Sequence, residues 1–458
     1  MEDLFYRSAT SLARAIQTLE ITSLEVTKVH IARIEAVNPK LNAVVQLTAD
    51  SALDESRRAD AALVHGETTG PLHGVPMTIK DSLETAGVIT TAGTKGLESY
   101  VPIRDATVVT RLKQAGAILL GKTNTPELTL EFATDNFVYG RTNNPYDLAR
   151  TPAGSSGGAA AIVASGGSPF DIGTDYGGSI RLPAHFCGIA GLKPTAGRAP
   201  RTGHIPFLEV GLTEAFIQVG PLARYVEDLR LILPIISGVD WRDPMIVPMP
   251  LDFLNTLELR HLRVAFYADN GITSPTSDTV SIVQAAASTL ADCGATAVED
   301  RPPDMELSPG LWTELVLADG GAGIQDLLLK LGTKEMHPLL GWTREQKALS
   351  SAAFAQALVR WNEFRSKGLA FFKNYDVILC PVNAGPATLH DEMLDFNYTQ
   401  YYNLMGWPVV VVRCGSSPEG LPIGVQIVAR PWREDVALAV AQHLENTFGG
   451  WQRPPIPP

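Results

Sequence analysis

Cysteine is scarce: four residues in 458 (Cys187, Cys293, Cys380, Cys414), far apart and never paired as C-x-x-C. That excludes a disulfide framework and a cysteine-rich zinc module, and it suits a reducing compartment. The nine histidines are dispersed, with no H-E-x-x-H or other ligand-spaced cluster, so no metal and no cofactor are expected. Basic charge is in deficit, 37 Lys and Arg against 49 Asp and Glu for a net −12. A general nucleic-acid binder would show the reverse, so no nucleic-acid partner is expected. No apolar run approaches the ~18 residues of a membrane span. The best, Leu231 to Gly238, is short and contains Pro234. The acidic start Met1-Glu2-Asp3 leads into an amphipathic pattern and does not read as a signal peptide. Internal repeats and low-complexity linkers are also missing. The expectation is a soluble, cytoplasmic protein without a membrane partner.

Apolar residues make up 45% of the chain and charged residues 19%, ordinary globular usage at a length that buries a large core. Residues 1–65 read as helices, with Ala9, Leu12, Ala15, Ile16 and Leu19, then Ile31, Ile34 and Val37, at helical spacing. Asn38-Pro39 is expected to end the second of them. The block 70–240 is dense in Gly and Pro, and short apolar runs such as Val75 to Ile79 and Ala117 to Leu120 read there as buried strands. A strand, helix and strand follow over 255–300, helices dominate to 372, and 373–458 returns to strands with a closing helix. The whole reads as one α/β domain over 1–458. A helical, divergent stretch at about 240–372 elaborates it.

Three patterns carry chemistry. Gly116 to Thr123 satisfies G-x-x-x-x-G-K-[ST], but the intervening Ala-Ile-Leu-Leu is a strand rather than a phosphate-wrapping loop. Gly154-Ser155-Ser156-Gly157-Gly158 matches G-x-S-x-G with Ser156 as nucleophile, yet the strand that elbow requires is absent upstream. The third combines Lys80, at the end of an apolar run, with the 154–158 cluster and with Gly173-Thr-Asp-Tyr-Gly-Gly-Ser179-Ile-Arg181. Glycines before a serine let backbone N–H groups converge on one point, as an oxyanion hole requires. Ser155 is then a candidate relay hydroxyl and Lys80 a candidate base.

The ordered set resembles the amidase signature family of serine hydrolases. Its segments are Gly74-Val-Pro-Met-Thr-Ile-Lys80-Asp81, Gly121-Lys-Thr-Asn-Thr-Pro126-Glu127, Gly154-Ser-Ser-Gly-Gly158, Gly173 to Pro183 and Gly188-Ile-Ala-Gly-Leu-Lys-Pro194. The match resumes at Asn403-Leu-Met-Gly-Trp-Pro408 and Gly420 to Gln426. The resemblance implies a single large α/β/α domain with a mixed, twisted central sheet. It also implies a Ser-cisSer-Lys triad, with Ser179 as nucleophile, Ser155 as bridging serine and Lys80 as base. The amides of Tyr176, Gly177, Gly178 and Ser179 would form the oxyanion hole, with Ser156, Asp175 and Arg181 in support. Lys80 must be neutral to accept a proton, so burial beside Met77 and Ile79 is expected, with Asp81 turned away.

The resemblance leaves the substrate open among aryl and alkyl amides, fatty acid amides, carbamates (urethanes), cyclic amides and the glutamine of a tRNA-dependent amidotransferase. The apolar run Ile205 to Leu212 favours a free-standing hydrolase of aryl or alkyl amides, with carbamates as a further substrate class. The glutamine-hydrolysing subunit of an amidotransferase complex is the alternative. Phe207, Leu208, Leu212, Trp312 and Leu315 are the apolar pocket candidates. The resemblance also admits a homodimer.

Overall fold

The structure is a computed structural model that describes residues 4–67, 70–208, 210–251, 257–345, 347–392 and 394–456. The start Met1-Glu2-Asp3 lies outside them. Eleven strands run through the described residues: β1 (Val44–Leu47), β2 (Pro76–Lys80), β3 (Ile118–Thr123), β4 (Phe170–Asp175), β5 (Ala190–Lys193), β6 (Gln218–Ala223), β7 (Arg263–Phe266), β8 (Thr296–Glu299), β9 (Val377–Pro381), β10 (Val409–Ser416) and β11 (Pro422–Ala429). They form one sheet in the order β1-β3-β2-β4-β6-β5-β10-β11-β9-β7-β8. β2 is parallel to both β3 and β4, and β7 to both β8 and β9, while the other pairs are antiparallel.

Helices cover both faces, and alternation along β10 shows how. Val410 and Val412 join a core with the helices Ala9–Gln17, Val226–Ile236, Ser277–Asp292 and Glu434–Phe448. Val411 points the other way, into the core of the helices Gly157–Ala164 and Arg181–Phe186. Val409 joins an aromatic-rich core under the helices Ser308–Val316 and Ser351–Phe371. β2, β3 and β4 are buried along their whole length on both faces, which is why Ile118-Leu119-Leu120 of β3 reads as a continuous apolar run rather than an alternating one. The chain is a single α/β domain with a mixed sheet.

Two local expectations change: the stretch 1–65, read as helices, also holds the strand β1, and Asn38-Pro39 does not end its helix. The helix Ser23–Leu41 carries Pro39 inside its last turn and ends at Asn42, which takes the left-handed conformation (φ 50°, ψ 47°). The pre-proline bias gives way because only one N–H bond is forfeited there, while Val37 and Leu41 on either side are fully buried. Pro234 likewise sits inside the helix Val226–Ile236. The strand-helix-strand expected over 255–300 is found as β7, Ser277–Asp292 and β8.

Candidate active site

β2 and β4 lie side by side and parallel, so their C-terminal ends meet at one rim of the sheet, where open α/β sheets collect their ligands. Lys80 is the last residue of β2 and Asp175 the last of β4. Between them in sequence, Ser155 and Ser156 stand just before the helix Gly157–Ala164. The peptide bond Gly154–Ser155 is cis. Lys80, Ser155, Ser156 and Ser179 are all buried to 2% exposure or less.

The Lys80 ammonium nitrogen lies 2.7 Å from Ser155 Oγ, 3.0 Å from Ser156 Oγ and 2.9 Å from Thr174 Oγ1. A lysine ammonium donates three hydrogen bonds, whereas a neutral amine donates two and accepts one. Three hydroxyls therefore suit either state, and one of them can hand the amine a proton. Burial pushes the Lys80 pKa well below the ordinary lysine range, against the opposing pull of Asp175 and Asp171. Burial lifts Asp171 to about 7, with hydrogen bonds from Thr78 and Thr123 working the other way. Asp81, also buried, accepts from the backbone N–H of Thr91 and faces Lys122. The Lys122 side chain donates to Leu83 O, Thr85 and Thr90, which leaves it no role as a phosphate lysine.

Asp175 organises the turn that follows it. Its carboxylate accepts from the backbone N–H groups of Ile180 (3.1 Å) and Arg181 (3.3 Å), closing the loop 176–180. It also takes a two-pronged ion pair from Arg181, at 3.0 and 2.9 Å, with both side chains fully buried. Burial alone would raise its pKa; the Arg181 guanidinium outweighs that and holds it below the usual carboxylate range. Arg181 in turn donates to Thr399 O, Gln426 Oε1 and Asn403 Oδ1, residues from the far end of the chain.

Inside that loop the N–H groups of Gly177, Gly178 and Ser179 donate to no protein acceptor among the described residues. Three consecutive unspent donors beside a serine hydroxyl are the makings of an anion-binding turn. Gly178 has φ 141°, and a Cβ there would sit 2.5 Å from Thr399 Oγ1. No side chain fits.

A cleft of about 790 Å³ lies beyond Phe132 and Trp312, the two rings that flank Gly177, and no residue of 176–180 lines it. A Cβ added to Gly177 would lie 3.0 Å from Phe132 Cζ and 3.8 Å from Trp312 Cζ2. Both rings line the cleft, together with Trp342 and Phe396. Of the pocket candidates read from the sequence, only Trp312 is there. Leu315 is core at 1% exposure, Leu208 is exposed, and Phe207 and Leu212 lie elsewhere. Phe132 and Phe396 give no signal in the sequence, because both lie in loops and only the fold brings them together. Thr174, the third partner of Lys80, gives none either.

The sequence profile of the Amidase family matches residues 25–438. The chain belongs to the amidase signature family. Over 99% of its own length and 99% of the relative's, this amidase is 34% identical to a glutamyl-tRNA(Gln) amidotransferase subunit from Moorella thermoacetica. Among solved structures, a 6-aminohexanoate cyclic dimer hydrolase complexed with substrate is 28% identical and superposes with a TM-score of 0.87 over 99% of each chain. A bacterial aryl acylamidase of the same family is 26% identical, with a TM-score of 0.85 over 96% of each chain. The amidase is thus a hydrolase of C–N bonds, and no helix among its described residues is long and apolar enough to cross a membrane. One expectation falls. The acidic balance argues against a nucleic-acid partner, but relatives matched along the whole chain are named for glutamyl-tRNA(Gln), so that exclusion does not stand. Net charge is a sum over the surface; it is silent about a local patch and about contacts that other subunits make.

Proposed function

We propose that this amidase cleaves a carboxamide through an acyl-serine at Ser179, with Ser155 as relay and Lys80 as base. The observation that carries the reading is the buried Lys80 amine bonded to Ser155 at 2.7 Å on the rim where the 176–180 turn offers its amides. Neutral Lys80 accepts the Ser155 proton as Ser155 takes that of Ser179, whose oxygen attacks the carbonyl. The anion formed rests on the amides of Tyr176, Gly177, Gly178 and Ser179. Its collapse expels the amine, which leaves with the proton held by Lys80, and water then releases the acyl group. Ser156 and Thr174 hold the Lys80 nitrogen in place, while Asp175 and Arg181 hold the turn.

For the substrate, similarity along the whole chain supports glutamine as the amide that is opened, with the chain acting as the glutamine-hydrolysing subunit of a tRNA-dependent amidotransferase. A second reading, a hydrolase of apolar amides or carbamates, is favoured by the cleft. Its walls present Phe132, Trp312, Trp342 and Phe396, and no lysine or arginine among the described residues lines it to pair the α-carboxylate of glutamine.

Product release should be followed from glutamine, an aryl acyl anilide, an aryl carbamate and a primary aliphatic amide, with wild type and Ser179→Ala. Under the first reading glutamine is hydrolysed slowly, and faster once partner proteins are supplied; under the second the anilide or carbamate turns over unaided. In both, Ser179→Ala lowers kcat/KM on the order of 10³-fold or more. Turnover unchanged in Ser179→Ala overturns the nucleophile.

A further inference from the structure

The cleft beyond Phe132 and Trp312 has a second property besides its aromatic walls. Four carboxylates line it, Glu131, Glu345, Asp391 and Glu392, and none of them is in an ion pair among the described residues. Lys347 lines a neighbouring groove, and Arg141 is felt at His390 without lining the cleft. Burial, with Arg141 beside it, lowers the His390 pKa and disfavours its charged form.

Of the four, Glu131 adjoins the serine cluster through its backbone. Its carbonyl oxygen lies 3.0 Å from where a Cβ on Gly154 would be, next to Ser155, and the following residue is Phe132, which abuts Gly177. Its carboxylate accepts from the Phe132 N–H at 3.3 Å and from Trp342, both neutral donors. Burial raises its pKa to about 7, so its ionised form is short of a compensating charge. The rings around it form one connected array. Phe132 stacks on Phe396 (centroids 4.2 Å apart, planes at 19°), Trp312 meets Phe396 edge-on at 5.8 Å, and Trp312 and Trp342 lie 6.0 Å apart. Tryptophan faces attract cations as well as apolar groups.

We propose that this cleft is a subsite for a substrate whose non-reacting half is an aryl or branched apolar body ending in a fixed positive charge, an ammonium or amidinium held by Glu131 and the 391–392 carboxylates. The proposal deepens the reading of Ser179 as the reacting centre and rests on it for orientation, since the apolar body must span from Gly177 to the acidic wall. It is a specificity device. The cation replaces the missing partner of Glu131, and a neutral or anionic isostere of the same shape leaves that carboxylate uncompensated or repelled.

Three isosteres test it by calorimetric titration at pH 8 and low salt: 4-phenylbutylamine, 4-phenylbutanol and 4-phenylbutanoate. The amine, still an ammonium at that pH, is expected to bind about tenfold more tightly than the alcohol, with the carboxylate weakest. Glu131→Gln, and separately the pair Asp391→Asn with Glu392→Gln, should narrow the gap between amine and alcohol, while Trp342→Ala weakens all three ligands. Equal binding of amine and alcohol to wild type, or an undiminished gap in both carboxylate variants, overturns the proposal. Ser179→Ala separates the two readings. Retained amine preference with lost turnover supports both, whereas unchanged turnover in that variant sinks the nucleophile and leaves the isostere ranking to decide the subsite alone.

Discussion

Asp171 lies on β4 four residues before Asp175, and its charge acts on both Lys80 and Lys122. A carboxylate there favours the ammonium form of Lys80, so it raises a pKa that burial lowers. Asp171→Asn removes that pull while keeping an oxygen to accept from Thr123. The Lys80 pKa should fall, and the acid limb of the kcat/KM–pH profile should move to lower pH. A limb that stays put, or moves up, would show that another group titrates there. Lys80 and Ser155 are legible in the sequence as a candidate base and relay, and the structure sets them 2.7 Å apart, whereas Ser179 is legible only through the family resemblance. Asp171 and Thr174 are not, since one aspartate and one threonine in a strand carry no pattern until β2 is laid beside β4.

Helix ends depend on distant partners in the same way. Asp228, at the start of the helix Val226–Ile236, reaches across to the helix Ala9–Gln17 and accepts from Ala9 N (3.0 Å), Thr10 N (2.8 Å) and Thr10 Oγ1 (2.8 Å). Those amides are among the orphan donors of a helix N-terminus. Asp228→Ala would strand both in a buried setting, and a loss of about 1–3 kcal/mol, read from the urea midpoint, is expected. An unchanged midpoint would mean that Ser8, which caps Ser11 from the same turn, suffices by itself. At this scale the sequence supplies helices and strands well and their terminators poorly. Thr22 and Glu25 form a capping box at the start of the helix Ser23–Leu41. Pro39, by contrast, does not stop its helix, because burial of Val37 and Leu41 outweighs one missing donor. The cleft is the least legible element. Phe132 and Phe396 are 264 positions apart in sequence, and only the fold makes them a stacked pair.

Across the whole molecule, acidic residues serve in opposite ways. Most of the excess is surface charge, but Glu445 is largely buried and accepts from Val226 N at 3.0 Å, joining the last helix to the one that starts at Val226. Burial raises its pKa to about 7, above its unfolded value, so the folded state resists ionising it. The resulting destabilisation is full above pH 7 and fades as pH falls toward the unfolded value near 4.3. Glu445→Gln, which still accepts from Val226, should therefore be more stable than wild type by about 1–2 kcal/mol at pH 8 and equal to it near pH 4.5. Denaturant midpoints at the two pH values check both the size and the direction.

The Arg181 side chain, which pins Asp175 and with it the amide-bearing turn, is anchored by Thr399, Asn403 and Gln426. During synthesis those anchors leave the ribosome some 220 residues after the serine they steady, at 5–20 residues per second about 10–45 seconds later. A nascent chain thus carries Ser179 through much of translation with the 176–180 turn unbraced. Fragments that end before residue 426 should be inert toward amides, so the amidase is switched on by its own C-terminal segment.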